Sequence, residues 1–97
     1  MKALKDIQKS LVKYKDTVRK EYKAEIVGVF GSYSREEQTK TSDVDILVRF
    51  LDGATLFDLV GLGEFIEEKL KVKADIVSER AIRPELREQI LKEVIEL

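Results

Sequence analysis

Glu25-Ile26-Val27-Gly28-Val29-Phe30-Gly31-Ser32, followed after ten residues by Asp43-Val44-Asp45-Ile46-Leu47-Val48-Arg49-Phe50, decides how this chain folds. The first run is β-branched and aromatic and ends in a Gly-Ser turn signal, which reads as a strand. In the second, Val44–Phe50 reads as another strand, followed by the turn pair Asp52-Gly53. Side chains alternate along a strand, so Asp43 and Asp45 share one face while Val44 and Ile46 fill the other. Two neighbouring carboxylates repel unless a cation lies between them, and oxygen ligands with positions left for water and phosphate suit Mg²⁺.

Working outward, Leu4, Ile7, Leu11, Tyr14, Val18 and Tyr22 recur at steps of three or four and predict an amphipathic helix over 3–22. The polar residues 33–42 predict a short helical turn and loop. Leu56, Leu59, Val60, Gly63, Ile66 and Leu70 predict one face of a helix over 55–70, with Gly61 and Gly63 read as points of close packing. Residues 72–77 (Val-Lys-Ala-Asp-Ile-Val) predict a third strand, on which Asp75 leaves the face that Val72, Ala74 and Ile76 bury. Pro84 suits the first turn of a helix, and Leu86, Ile90, Leu91, Val94 and Ile95 extend that helix over 84–96. The expected order is αβαβαβα: an α/β domain over 1–97, a three-stranded mixed sheet with helices packed around it.

Composition narrows the chemistry. The 97 residues make one small domain, too short for a separate substrate-binding domain, so a partner is expected to complete the function, and an oligomer is possible. Cysteine and histidine are absent, which excludes disulfides, thiol nucleophiles, the usual zinc sites and imidazole acid-base catalysis. Catalysis would rest on carboxylates, hydroxyls, Lys or Arg. No run approaches a membrane span and no signal-peptide core follows the early lysines, so a cytoplasmic location is the default expectation. Residues 1–23 carry eight bases against three acids, and residues 24–97 ten against sixteen, so a net charge of −1 conceals a basic first helix. That face reads as solvated lysine, with attraction of RNA or an acidic partner as the alternative.

Gly31 lets backbone approach a phosphate, and Ser32 offers a hydroxyl and N–H groups to hold its oxygens. Arg35, one turn on, is a candidate phosphate partner. Tyr33 is expected either to touch phosphate or base, or to lie on the loop surface. With Asp75 as a third acid, able to bind a second metal and help activate a hydroxyl, the set suits two ions about 4 Å apart and in-line displacement of pyrophosphate. Taken singly, the Gly-Ser pair reads as a turn, Asp-x-Asp as a solvated strand edge or a cation site without catalysis, and Asp75 as a surface residue on an edge strand. Their joint order favours function.

Phe30-Gly31-Ser32-Tyr33-Ser34-Arg35 with Ser42-Asp43-Val44-Asp45-Ile46-Leu47-Val48 resembles the motif of minimal nucleotidyltransferase (MNT) proteins of the DNA polymerase β-like superfamily. Gly53-Ala-Thr-Leu-Phe-Asp-Leu59, Ala74-Asp75-Ile76-Val77 and Arg83-Pro84-Glu-Leu-Arg87-Glu-Gln-Ile90 extend the likeness through the chain. The resemblance implies the polymerase β-like nucleotidyltransferase fold, with Gly31 and Ser32 on the nucleotide phosphates and Asp43, Asp45 and Asp75 as the three metal-binding and catalytic acids. Two positions depart from the pattern: Glu36 stands where Gly is frequent and Lys40 where Pro is. Glu36 is expected to bring an acid near the phosphates and to lose a left-handed turn.

Members this small are similar to antitoxins that transfer AMP from ATP to a tyrosine of a HEPN-domain toxin, and the resemblance implies that activity here, with Mg²⁺ and ATP. Two other readings stand beside it. One is a non-catalytic module that neutralises a partner by complex formation; the other is a nucleotidyltransferase acting on a small molecule or an RNA end.

Overall fold

The structure is a computed structural model that describes residues 2–97. The three-to-four spacing of apolar residues in the first segment yields helix α1, Leu4–Tyr22, which buries Ile7, Leu11 and Val18 and ends at Lys23 in the left-handed conformation. Strand β1, Ala24–Phe30, pairs antiparallel with β2, Val44–Phe50, from Ala24↔Phe50 to Phe30↔Asp45, with a bulge between Ile26 and Gly28. Helix α2, Leu56–Leu70, crosses over to β3, Ala74–Ser78, which lies parallel to β2. A short 3₁₀ turn, Glu79–Ala81, leads to α3, Pro84–Glu93.

Alternation on β2 splits the molecule into two faces. Val44, Ile46 and Val48 are fully buried with Ile7, Leu11 and Val18 of α1 and Leu62, Ile66 and Leu70 of α2. At roughly 25 cal/mol per Å² of apolar surface removed from water, this layer is the main source of stability. Tyr14 and Tyr22 close its edge against Phe65, with ring centroids 5.5 and 5.4 Å apart. Asp45, Leu47 and Arg49 belong to the opposite face, where Leu47 is fully buried and Asp45 half-buried.

The expected fold class holds, and the structure corrects it in four places. The sheet has four strands, ordered β3-β2-β1-β4, because the last helix stops at Glu93 and Ile95–Glu96 forms a short strand β4 on β1. Val94 is extended, which ends the helix, and Gly28 lets the new strand close in: a Cβ there would lie 2.2 Å from the Ile95 carbonyl oxygen. β3 covers 74–78 and not 72–77.

The buried face of α2 is Leu62, Ile66 and Leu70, while Leu56 and Val60, expected on that face, are exposed. Of the two glycines of α2, Gly61 makes a close approach, with Tyr22 Cε1 3.0 Å from where its Cβ would be; at Gly63 the nearest atom is 3.8 Å away. Last, α3 buries no residue, despite its apolar stripe.

These assignments predict that Ile46→Ala, in the layer shared by both helices, costs about 2–5 kcal/mol in urea unfolding. Phe57→Ala on the exposed start of α2 changes stability by less than about 0.5 kcal/mol.

Candidate active site

β1 ends where β2 and β3 begin, so topology brings the proposed residues to one end of the sheet. Asp45 sits on the open face opposite Phe30 of β1 on one side and Asp75 of β3 on the other. In parallel register the Asp45 and Asp75 backbones are about 4.8 Å apart, the ordinary spacing of neighbouring strands. Asp43 stands just before β2 and is exposed, as is Asp75.

Gly31 is pressed against Asp45. It holds φ +76°, and a Cβ would fall 2.1 Å from Asp45 Oδ2 and 3.0 Å from its Cγ. Any other residue would both strain the backbone and displace the carboxylate. After Gly31 the chain coils into a tight turn: the Gly31 carbonyl accepts from Arg35 N, Ser34 N and Ser34 Oγ, and the Ser32 carbonyl accepts from Glu37 N. Neither the Ser32 N–H, the Tyr33 N–H nor the Ser32 hydroxyl donates to a protein acceptor among the described residues. Free donors at the start of such a coil are suited to an anion.

The turn corrects two expectations. The Tyr33 side chain is 2% exposed and belongs to the core layer, so the ring neither touches phosphate or base nor lies on the loop surface. Glu36 keeps the left-handed turn it was expected to lose, with φ +56° and its N–H on the Tyr33 carbonyl. An L-residue in that conformation costs on the order of 1 kcal/mol.

Arg35 is already engaged. Its Nε donates to Glu37 Oε1 at 2.6 Å and its Nη1 to Glu93 Oε1 at 2.9 Å, so a phosphate would have to compete with two carboxylates. Glu93, in the last turn of α3, is a neighbour that sequence reasoning missed. It lies 58 residues from Arg35 in the chain, and nothing local marks it. Ile82, Leu86 and Ile90 were also missed as site neighbours; with Phe30 and Val77 they line a cavity of about 270 Å³ that Asp45 and Asp75 also border.

The electrostatics follow from this crowding. Burial first, then repulsion from Asp75 and Asp43, pushes Asp45 up from 3.8 to about 6; Arg35 opposes the shift and Glu93 adds to it. The donor set is hard carboxylate oxygen carrying excess negative charge, which fits a divalent cation such as Mg²⁺. The acids adjoin without closing: among the described residues no three acids converge into a ready-made metal cage.

Comparison with known proteins gives the family and the fold. A nucleotidyltransferase domain model matches residues 11–97, and the chain belongs to that family. Protein adenylyltransferase MntA of Thermococcus cleftensis is 34% identical over 95 residues, covering 98% of this chain and 96% of that protein. A Methanocaldococcus jannaschii protein provisionally named a protein adenylyltransferase is 34% identical over 96 residues, 98% of each chain.

A solved structure provisionally described as a minimal nucleotidyltransferase superposes with TM-score 0.76 at 42% identity, over 92% of this chain and 94% of that one. The MNT antitoxin complexed with a tri-AMPylated HEPN toxin of Shewanella oneidensis shares the fold, with TM-score 0.65 at 22% identity over 93% of this chain and 70% of that one. The chain is a minimal nucleotidyltransferase.

Two stability predictions follow from the site itself. Because the Asp45 pKa is raised on folding, the folded state binds its proton more tightly than the unfolded state. The contribution of Asp45 to stability is therefore fully present below pH 4, is lost as pH rises from 4 to 6, and is constant above. After discounting for partial exposure, the loss is about 1–2 kcal/mol, and Asp45→Asn should remove that slope in metal-free unfolding curves. Glu36→Gly should stabilise the chain by about 0.5–1 kcal/mol, read as a higher urea midpoint with an unchanged m-value.

Proposed function

We propose that this nucleotidyltransferase is an Mg²⁺-dependent protein adenylyltransferase. It would move AMP from ATP to a tyrosine hydroxyl of a HEPN-type toxin and so act as its antitoxin in the cytoplasm. The observation that carries the reading is the row of Gly31, directly after β1, Asp45 of β2 and Asp75 of β3, with free donors at one end and a free carboxylate at the other. The likeness to protein adenylyltransferases supports the reaction, and the antitoxin complex supports the kind of partner. No helix among the described residues is long and apolar enough to cross a membrane.

In this mechanism Asp43, Asp45 and Asp75 would hold the metal. When bound, Mg²⁺ would supply charge neutralisation at the transferring phosphoryl group and lower the pKa of the attacking hydroxyl. The Ser32 and Tyr33 N–H groups and the Ser32 hydroxyl hold the phosphate oxygens, and Gly31 leaves them room beside Asp45. Arg35 turns from Glu93 to the pyrophosphate. Asp75 receives the proton of the acceptor hydroxyl.

A second reading, neutralisation by complex formation alone, is favoured by the exposed apolar residues Leu86 and Leu91 on α3. The two separate in one experiment. With α-labelled ATP and Mg²⁺, the wild type should label its HEPN partner, and the Asp43→Asn, Asp45→Asn double variant should lose at least about a hundredfold in rate while still folding. A double variant that labels as well as wild type overturns the catalytic assignment. Asp75→Asn should lower kcat far more than nucleotide affinity, measured by single-turnover labelling beside calorimetric titration with ATP.

A further inference from the structure

β4 fixes more than the edge of the sheet. Its pairs with β1 are Glu96 on Gly28 and Ile95 on Val29, and continuing that register puts Val94 opposite Phe30 and Glu93 opposite Gly31. The last residue of α3 therefore stands beside the first residue of the turn whose N–H groups are free. There Glu93 Oε1 accepts from Arg35 Nη1 at 2.9 Å, with the Glu93 side chain 21% exposed. Among the described residues Arg35 is the only cation paired with Glu93. Glu37, which accepts from Nε of the same guanidinium, is 65% exposed and belongs to the turn itself.

A carboxylate on a guanidinium makes the kind of contact that a phosphate makes. Glu93 thus holds Arg35 as an internal substitute for that anion. Both charges reach the site: after burial and the neighbouring aspartates, Glu93 still adds to the raised Asp45 pKa and Arg35 opposes it. An incoming polyphosphate meets the Glu93 charge beside the Gly31 turn and has to take Arg35 from it. The fold lets the helix end yield. Val94 is extended, α3 buries no residue, and the start of the helix is held by Arg87 on Glu79 at 3.6 Å.

Resting on the phosphate site of the reading above, we propose that the Glu93–Arg35 pair is an autoinhibitory latch: without nucleotide, Glu93 occupies the phosphate-binding arginine, and a nucleoside triphosphate loads by displacing it. The latch keeps affinity below what the site would otherwise give. It also ties loading to the position of α3. Whatever moves the helix end off Arg35 tightens nucleotide binding, and nucleotide loosens the helix end by the same factor.

A double-mutant cycle over Glu93→Gln and Arg35→Ala tests the latch, read as calorimetric Kd for α,β-methylene-ATP with Mg²⁺ beside thermal unfolding. Glutamine keeps the size of the side chain and removes its charge, so cooperative unfolding like that of wild type is expected. The expected Kd is at least about threefold tighter in Glu93→Gln, and within about 1.5-fold when the same change is made in Arg35→Ala. Hydrogen exchange gives a second readout. The Val94 amide, which donates to the Ile90 carbonyl, should exchange faster in wild type once the analogue is bound.

An unchanged or weaker Kd in Glu93→Gln overturns the latch, as does slower or unchanged exchange at Val94. Equal tightening in both backgrounds also overturns it, since Glu93 would then act as a repelling charge without Arg35. Labelling of the HEPN partner by wild type is read separately: if the cycle holds and no protein is labelled, the adenylyltransferase reading falls and the latch stands on the nucleotide site. If none of the four proteins binds the analogue, the phosphate site falls and the latch with it.

Discussion

The site depends on one buried conflict: a carboxylate set between strands where its own charge is unwelcome. Asp45 is half-buried on the open face of β2, beside Asp75 and Asp43, and pressed against Gly31. A fold selected only for stability would place an apolar residue there, as it does one step along the same face at Leu47, which is fully buried. The conflict is tolerable because the opposite face is dense. Val44, Ile46 and Val48 fix β2 between α1 and α2, so repulsion among the acids cannot move the strand.

The same constraint explains the Gly31 turn. With Asp45 Oδ2 2.1 Å from where a Cβ would be, the chain leaving β1 must pass the carboxylate without a side chain. Coiling directly afterwards turns the Ser32 and Tyr33 N–H groups free of protein acceptors, and Tyr33 anchors the coil in the core at 2% exposure. The free N–H groups and the acid are thus positioned by one backbone event. α3 belongs to a looser regime. It buries no residue, and exposed ion pairs of the kind at its ends contribute about 0.2–1 kcal/mol each.

Much of this was legible in the sequence because it rests on local rules. Alternation on Val44–Phe50 gave β2 its bounds and its two faces, and the three-to-four spacing gave α1 within a residue of its ends. What was not legible depends on contacts across the chain. Ile95–Glu96 is a strand because Gly28, 67 residues earlier, leaves room for it, whereas the local pattern only continues a helix. Tyr33 reads as a loop residue beside Ser32 and Ser34, yet it packs inward because the coil after Gly31 rotates it toward the core. Glu93 meets Arg35 only after three strands have been laid down, and no spacing rule reaches that far.

The proposed metal role of the acids requires that a cation relieve their crowding. The most direct measurement is the pH titration of the Asp45 side-chain carboxyl by ¹³C NMR, with and without saturating Mg²⁺. The account predicts a midpoint near 6 in the metal-free protein, falling below the ordinary 3.8 when Mg²⁺ is bound. A midpoint that stays near 6 in Mg²⁺, or that already lies near 3.8 without it, would contradict the account.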